Sequence, residues 1–122
     1  MEMVPQIMAA AHVGVATLGR GSEGVSMPSK SYDLMAAGCA LLGLSQGDND
    51  LRRIIERYEC GLNVEPDDTN GVLVALHRFR DDPEFLAHCQ SRSRQAAVEQ
   101  FSTSVNQRRY LELLRALCPT RE

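Results

Sequence analysis

Short apolar segments alternate with segments of helical periodicity along this 122-residue chain. The apolar segments are brief and rich in aliphatic residues, and they lie at 12–18 (HVGVATL), 40–44 (ALLGL) and 61–64 (GLNV). Strands that are separated by helices need crossover connections, which favour a parallel sheet covered by helices. The alternation therefore predicts an α/β fold, a short parallel sheet flanked by helices, with further helices at the C-terminal end.

Polar caps and turn residues indicate where the helices begin and end. Apolar spacing predicts a helix over 4–11, and a second helix over 28–37 ends at Gly38. Further helices are predicted to begin at Asp48 or Asn49, at Asp68 or Thr69, at Asp82, and at Ser102 or Thr103. We expect the last helix to bury one apolar face, made of Tyr110, Leu113, Leu114 and Leu117.

Composition and charge limit the classes of function. A net charge of −3 without a basic stripe, together with the absence of tryptophan, argues against nucleic-acid binding. The four cysteines form no C-x-x-C pair and the three histidines match no zinc spacing, so we expect free thiols and no metal. No apolar run is long enough to span a bilayer, and no signal-peptide pattern is found. We therefore expect a cytoplasmic protein of one domain.

A glycine-bearing loop and the helix that follows it carry the strongest functional signal. They read GSEGVSMPSKSYDLMAAG from Gly21 to Gly38. The N–H groups at a helix start and the positive end of its dipole suit a phosphate, and Lys30 adds a cation in the first turn. Asp33 adds a carboxylate that can accept hydrogen bonds from sugar hydroxyls. The stretch therefore suggests a nucleotide-sugar site.

The same residues also have plainer structural interpretations. Gly24 serves an ordinary turn nearly as well as a close ligand approach, and Ser26 and Ser29 are helix caps before they are phosphate donors. Glu23 and Asp33 can equally be exposed acidic side chains that contact only water. We expect the arginines of the last two helices to lie on solvated helix faces; they are Arg92, Arg94, Arg108 and Arg109.

The stretch MPSKSYDLMAAGCALLGL resembles the central signature of retaining glycosyltransferases of the group 1, family 4-like type, which have the GT-B fold. The segments HVGVATL, GLNVEPDD and EQFSTSVNQRRYLELL are similar, in order and spacing, to neighbouring elements of that family. The resemblance covers nearly all of the chain. It implies that residues 1–122 form a partial Rossmann-like (GT-B C-terminal) domain that binds a nucleotide-sugar, with the N-terminal domain absent.

The resemblance also implies roles for individual residues. The family places two glutamates across this loop and helix; the second maps onto Asp33, which would hold the ribose hydroxyls, and the first maps onto Val25. Glu23, two residues upstream of Val25, is then the candidate that faces the donor sugar. Lys30 would stabilise the leaving diphosphate. The implied catalytic residues are Glu23 and Lys30, and the implied donor-binding residues are Gly24, Ser26, Pro28, Ser29, Lys30 and Asp33.

The implied activity is transfer of a sugar from a nucleotide-sugar to an acceptor, in surface polysaccharide biosynthesis, with no cofactor besides the donor. Because the acceptor domain is absent, we expect no transfer by this chain alone. We expect peripheral membrane association of the full-length enzyme, and a homo-oligomer when the fragment is isolated. The alternative is a non-catalytic α/β module, or truncated remnant, that acts by self-association. A sugar-nucleotide epimerase is disfavoured because such enzymes usually need histidines near the loop, where this chain has none.

Overall fold

The structure is a computed structural model that describes residues 10–18 and 29–118. The elements within these ranges are β1 (Val13–Thr17), α1 (Ser29–Ala36), β2 (Ala40–Leu44), α2 (Asp50–Tyr58), β3 (Gly61–Val64), α3 (Thr69–Asp81), α4 (Pro83–Gln100) and α5 (Thr103–Leu117). The strands form a parallel sheet in the order β1-β2-β3, with β2 in the centre. The predicted α/β fold with a short parallel sheet is confirmed. The helix predicted over 4–11 lies, except for its last two residues, outside the described residues.

Two clusters of buried side chains cover the two faces of the sheet. Leu41 of β2 packs in the cluster formed by α1 and α2, which contribute Met35 and Ile55. Leu42 points to the opposite face and packs in the cluster that contains Phe79 of α3. Successive side chains of a strand alternate between faces, so a central strand that is buried on both sides is a continuous apolar run. This is why the sequence ALLGL predicted β2 correctly.

Helix α4 passes from one face of the sheet to the other. Cys89 belongs to the cluster on the α3 side, whereas Ala97 belongs to the cluster on the α1 and α2 side. Between them, the side-chain amide of Gln90 donates to the carbonyl of His12, just before β1 begins, at 3.1 Å. The helix therefore runs along the amino ends of the strands and closes the core there.

Two arginines of α4 bind the ends of α1 and α2. Nε of Arg92 donates to the carbonyl of Tyr58 at 3.1 Å, and the guanidinium of Arg94 donates to the carbonyl of Ala36. The last carbonyls of a helix lack partners within the helix, and a cation near them also complements the dipole. The sequence predicted that both arginines lie on solvated helix faces. In the structure, their hydrogen bonds connect α4 to the ends of α1 and α2.

The predicted helix caps agree with the structure. Each of α2, α3, α4 and α5 has an N-cap side chain that accepts a hydrogen bond from an N–H in the first turn, and these caps are Asn49, Asp68, Asp82 and Ser102. Gly38, two residues beyond the end of α1, has a φ of 82°. Glycine adopts this left-handed conformation without a steric cost, so the predicted stop of α1 is confirmed.

Helix α5 differs from its prediction because none of its residues is buried. The four side chains expected in the core are 65, 55, 42 and 69% exposed, at Tyr110, Leu113, Leu114 and Leu117. The beginning of the helix is tied to α4, since Arg109 donates to the backbone and side-chain oxygens of Gln100 at 3.1 and 2.6 Å. The predicted burial is wrong, because amphipathic spacing indicates an apolar face and does not supply an element to cover it.

Candidate functional site

The carboxyl ends of the three parallel strands lie along one edge of the sheet. These ends are Thr17, Leu44 and Val64. In open α/β sheets, ligands bind outside the carboxyl ends of the strands. Because α1 and α2 connect parallel neighbours, each begins near this edge and runs back towards the amino ends. Both helices therefore present their N-terminal N–H groups and positive dipole ends on the side where a ligand is expected.

The structure describes the side chains of two predicted site residues of α1, and both lie on the outer face of the helix. The inner face buries Ser31, Leu34 and Met35, whereas Lys30 and Asp33 are exposed. Lys30 and Asp33 are three residues apart, so they are neighbours on the helix surface with a rise of about 4.5 Å between them. The spacing that the sequence predicted for a phosphate-binding cation and a hydroxyl-binding acid is therefore available in the structure.

Lys30 is the only lysine of the chain, since the other twelve basic residues are arginines. Its ammonium group forms no ion pair with any residue inside 10–18 or 29–118. The first turn of α1 also contains no acid. A cation at the positive end of a helix dipole is unfavourable by a few tenths of a kcal/mol unless an anion is near. The position is thus unfavourable for stability and suitable for holding an anion.

Asp33 also borders a second surface feature. A cavity of about 410 Å³ lies between α1, the end of α4 and the start of α5, and Asp33 lines it together with Arg94, Phe101 and Thr103. Asp33 is therefore exposed on the outer surface of α1 and also lines this cavity. A carboxylate here can accept hydrogen bonds from hydroxyl groups of a ligand, since carboxylates are acceptors with up to four lone-pair sites.

Of the remaining predicted site residues, the structure places one, Ser29. Ser29 is the first residue of α1, as expected for the start of the motif. The other four, and Val25 in the position of the family's first glutamate, lie outside the described residues: Glu23, Gly24, Ser26 and Pro28. Their roles stay predictions from the sequence.

The loop between β2 and α2 adds polar groups that the sequence analysis did not identify. Ser45 is buried at the carboxyl end of β2, and its hydroxyl donates to Oδ1 of Asn63 at 2.6 Å. Nδ2 of Asn63 donates back to the carbonyl of Ser45 at 3.2 Å. This reciprocal pair joins the ends of β2 and β3. An asparagine in the middle of the otherwise apolar segment GLNV was the available signal, because a polar side chain inside a strand usually has a partner.

The same loop closes the start of α2 with its own side chains. The buried amide of Asn49 accepts from the N–H of Arg52 at 2.9 Å and donates to the carbonyls of Gln46 and Gly47 at 3.2 and 3.4 Å. Arg53 donates to the Asp48 carboxylate at 2.9 and 3.2 Å, and this bond and its charge hold the pKa of Asp48 below its usual value. The charged groups at the start of α2 are therefore largely compensated within the loop.

Two features are absent from the described part of the chain, a metal-binding cluster and a membrane-spanning helix. No group of three or more His, Cys, Asp or Glu side chains among these residues is placed to hold a metal ion. None of the described helices is long and apolar enough to cross a membrane.

A comparison with known proteins found a partial relative. Over 75 residues the chain is 36% identical to a probable glycosyltransferase, WbjE, of Pseudomonas aeruginosa. The matched segment is 62% of this chain and 18% of that protein, so the chain spans less than a fifth of the relative's length. No protein-family model and no solved structure matches the chain. The chain is thus similar to part of a glycosyltransferase, which agrees with the resemblance of its central motif at that coarser level.

Proposed function

We propose that this chain is the donor-binding part of a retaining, group 1 glycosyltransferase of the GT-B type, and that its carboxyl edge binds a nucleotide-sugar. The reaction of the complete enzyme would be sugar transfer to an acceptor in surface polysaccharide biosynthesis. The proposal is supported by the partial identity to a probable glycosyltransferase and by the site at the start of α1. The observation that carries it is Lys30 at that helix start, which is exposed and forms no ion pair with a described residue.

The chemistry of a nucleotide-sugar fits these groups. The diphosphate carries the negative charge that grows as the sugar leaves, so fixed positive groups beside it lower the barrier. The N–H groups at the start of α1 and the ammonium group of Lys30 would supply that charge. Asp33, one turn further along the same face, would accept hydrogen bonds from the ribose hydroxyls.

The proposal predicts that the chain binds nucleoside diphosphates weakly. Isothermal titration with UDP, GDP and ADP, and with their sugar conjugates, measures the affinity and identifies the base. Lys30→Ala should weaken binding about tenfold or more, because a hydrogen bond to a charged group contributes about 1.5–3 kcal/mol. Asp33→Ala should weaken binding less, since it removes a contact to uncharged hydroxyls.

The single lysine allows a direct test of where the ligand lies. Reductive methylation with ¹³C-formaldehyde labels one side chain in this protein, that of Lys30, apart from the α-amino group. A nucleoside diphosphate should shift the Lys30 methyl signal with the same midpoint as the titration. Arg115→Gln is the matched control, because it removes one exposed positive charge at the far end of α5. Equal affinity of the wild type, Lys30→Ala and Asp33→Ala would contradict the site.

The exposed apolar face of α5 supports a second candidate function, self-association of a non-catalytic α/β module. Leu113, Leu114 and Leu117 lie on one side of α5 and are at least 42% exposed. Water-exposed leucines on a helix without a buried face gain stability when a second apolar surface covers them. Light scattering over a concentration series should then show a mass above 13.5 kDa. Leu114→Glu should return the chain to a monomer; a constant 13.5 kDa for the wild type would contradict this candidate.

A further inference from the structure

A second cavity with positive charge lies away from the start of α1. Its volume is about 470 Å³, and it lies between the outer side of α2, Tyr32 of α1, and the junction of α4 and α5. This volume is in the range of small-molecule sites. Arg53 and Arg57 reach the cavity from α2, and Arg109 reaches it from α5. Three guanidinium groups from two helices therefore border one cavity in a chain whose net charge is −3.

Two of these three guanidinium groups have no anionic partner among the described residues. Arg53 is paired with Asp48 and with Asp50, at 2.9 and 3.1 Å. Arg57 lies over the ring of Tyr58, at 5.6 Å from its centroid, and forms no ion pair in the part of the chain that the structure describes. Arg109 donates only to neutral oxygens of Gln100, which hold its side chain without compensating its charge.

The wall of the cavity beside these arginines is aromatic. Phe101 is central, with its ring centroid 5.0 Å from that of Tyr32 and 5.6 Å from that of Tyr58. All three rings border the cavity. Burial and the nearby charge of Asp50 raise the pKa of Tyr32, so its hydroxyl stays protonated and can donate at neutral pH. The cavity thus combines two arginines that have no acidic partner among the described residues with a cluster of aromatic rings packed at an angle to one another.

We infer that this cavity is a binding site for a small organic phosphate, with the phosphate group on Arg57 and Arg109 and a ring against Tyr58 and Phe101. Guanidinium groups donate to phosphate oxygens in pairs, and such charge-assisted bonds are stronger than neutral ones. Asp50 of α2 also lines the cavity, where its carboxylate would disfavour a second anionic group on the ligand. The site uses neither Lys30 nor Asp33, although Tyr32 and Phe101 line both this cavity and the one beside Asp33.

Titration of the full chain with three probes tests this inference. The probes are phenyl phosphate, inorganic phosphate and phenol, measured by isothermal titration at low ionic strength. Phenyl phosphate should bind about tenfold more tightly than inorganic phosphate, because ring burial adds to the ionic contacts, and phenol should not bind. Arg57→Gln should weaken phenyl phosphate binding about tenfold, since it removes a charged donor.

Three comparisons decide the outcome. Arg57→Gln is preferred over Arg109→Gln because the Arg57 guanidinium makes no hydrogen bond to a described residue, whereas Arg109 holds Gln100 by two, so the loss of Arg57 should disturb the fold less. Arg115→Gln removes the same charge elsewhere and should change the affinity less than twofold. Lys30→Ala should also leave phenyl phosphate binding unchanged, because Lys30 does not line the cavity. Absence of saturable binding at millimolar concentration, an equal loss in Arg115→Gln, or a loss confined to Lys30→Ala would each overturn the inference. The last of these would leave the proposed function standing.

Discussion

Helices α1 and α2 begin at the same edge of the sheet, and their first turns differ in how their charges are compensated. The start of α2 has the cap Asn49 and the acid Asp50. The first turn of α1 has no acid and contains the only lysine of the chain. The arginines in the first turn of α2 are paired with nearby acids, whereas Lys30 in the first turn of α1 adds positive charge to a positive helix end and forms no ion pair with a described residue. The difference indicates that α2 begins in a way that favours stability, and α1 in a way that favours an external anion.

The largest effect that this comparison predicts is on stability, at the start of α2. Asn49→Ala should lower the free energy of unfolding by about 3 kcal/mol, because it removes a cap and leaves two loop carbonyls without their donor. Denaturation in urea measures the change. Asn49→Asp keeps the acceptor and loses the donors, so it should cost less than Asn49→Ala. A cost below about 1 kcal/mol for Asn49→Ala would mean that the loop does not depend on this amide.

The next effect is on binding, at the start of α1. Lys30→Glu should weaken UDP binding about 100-fold, because it replaces an attractive charge with a repulsive one beside the diphosphate. The same titration applied to Asp48→Asn should show little change. If both variants lose affinity equally, the two helix starts do not differ in function.

Lys30→Glu, which should weaken binding, should increase the stability of the fold. Lys30→Glu places an acid in the first turn of α1, so the free energy of unfolding should rise by about 0.5 kcal/mol. Urea denaturation without ligand provides the measurement, and Lys30→Gln is the intermediate control. A loss of stability in Lys30→Glu would show that the lysine serves the fold, and the contrast between the two helices would then fail.

The smallest effect concerns pH. Arg53 lowers the pKa of the Asp48 carboxyl below 3.8. A carboxyl group whose pKa is lowered by folding stabilises the folded state at pH values above its ordinary pKa. This stability is lost as the pH falls below about 4. The difference in unfolding midpoint between the wild type and Asp48→Asn should therefore be present at neutral pH and shrink in acid. The effect should be slight, because the pair is exposed. A difference that is constant with pH would exclude the ion pair as its cause.

The elements of the fold were largely predictable because their signals are local. The caps Asn49, Asp68 and Ser102 lie within three residues of the N–H groups that they accept from. Gly38 ends α1 through its own backbone conformation. The apolar run of β2 identified a strand that is buried on both faces. Each of these signals acts over a single turn or strand, which is the range that a sequence pattern describes.

The errors and omissions concern contacts between distant residues. The apolar spacing of α5 is real, yet it predicted burial that the structure does not have. Ser45 and Asn63 pair across 18 positions, and Arg94 reaches the end of α1 across 58 positions. Such pairs depend on how whole helices and strands are placed, and no pattern within either segment specifies the partner.

The sequence by itself determined which charged side chains stand at the start of α1, with Lys30 and Asp33 one turn apart, and their roles stay predictions. It also predicted the parallel α/β architecture, because a helix between two strands supplies the crossover that parallel pairing needs. Only the tertiary structure decided that Arg57 and Arg109 border one cavity and that α5 keeps its leucines exposed. The physical reason is range: caps, turns and periodicity act between near neighbours in the chain, whereas a cavity exists only where separate helices pack around it.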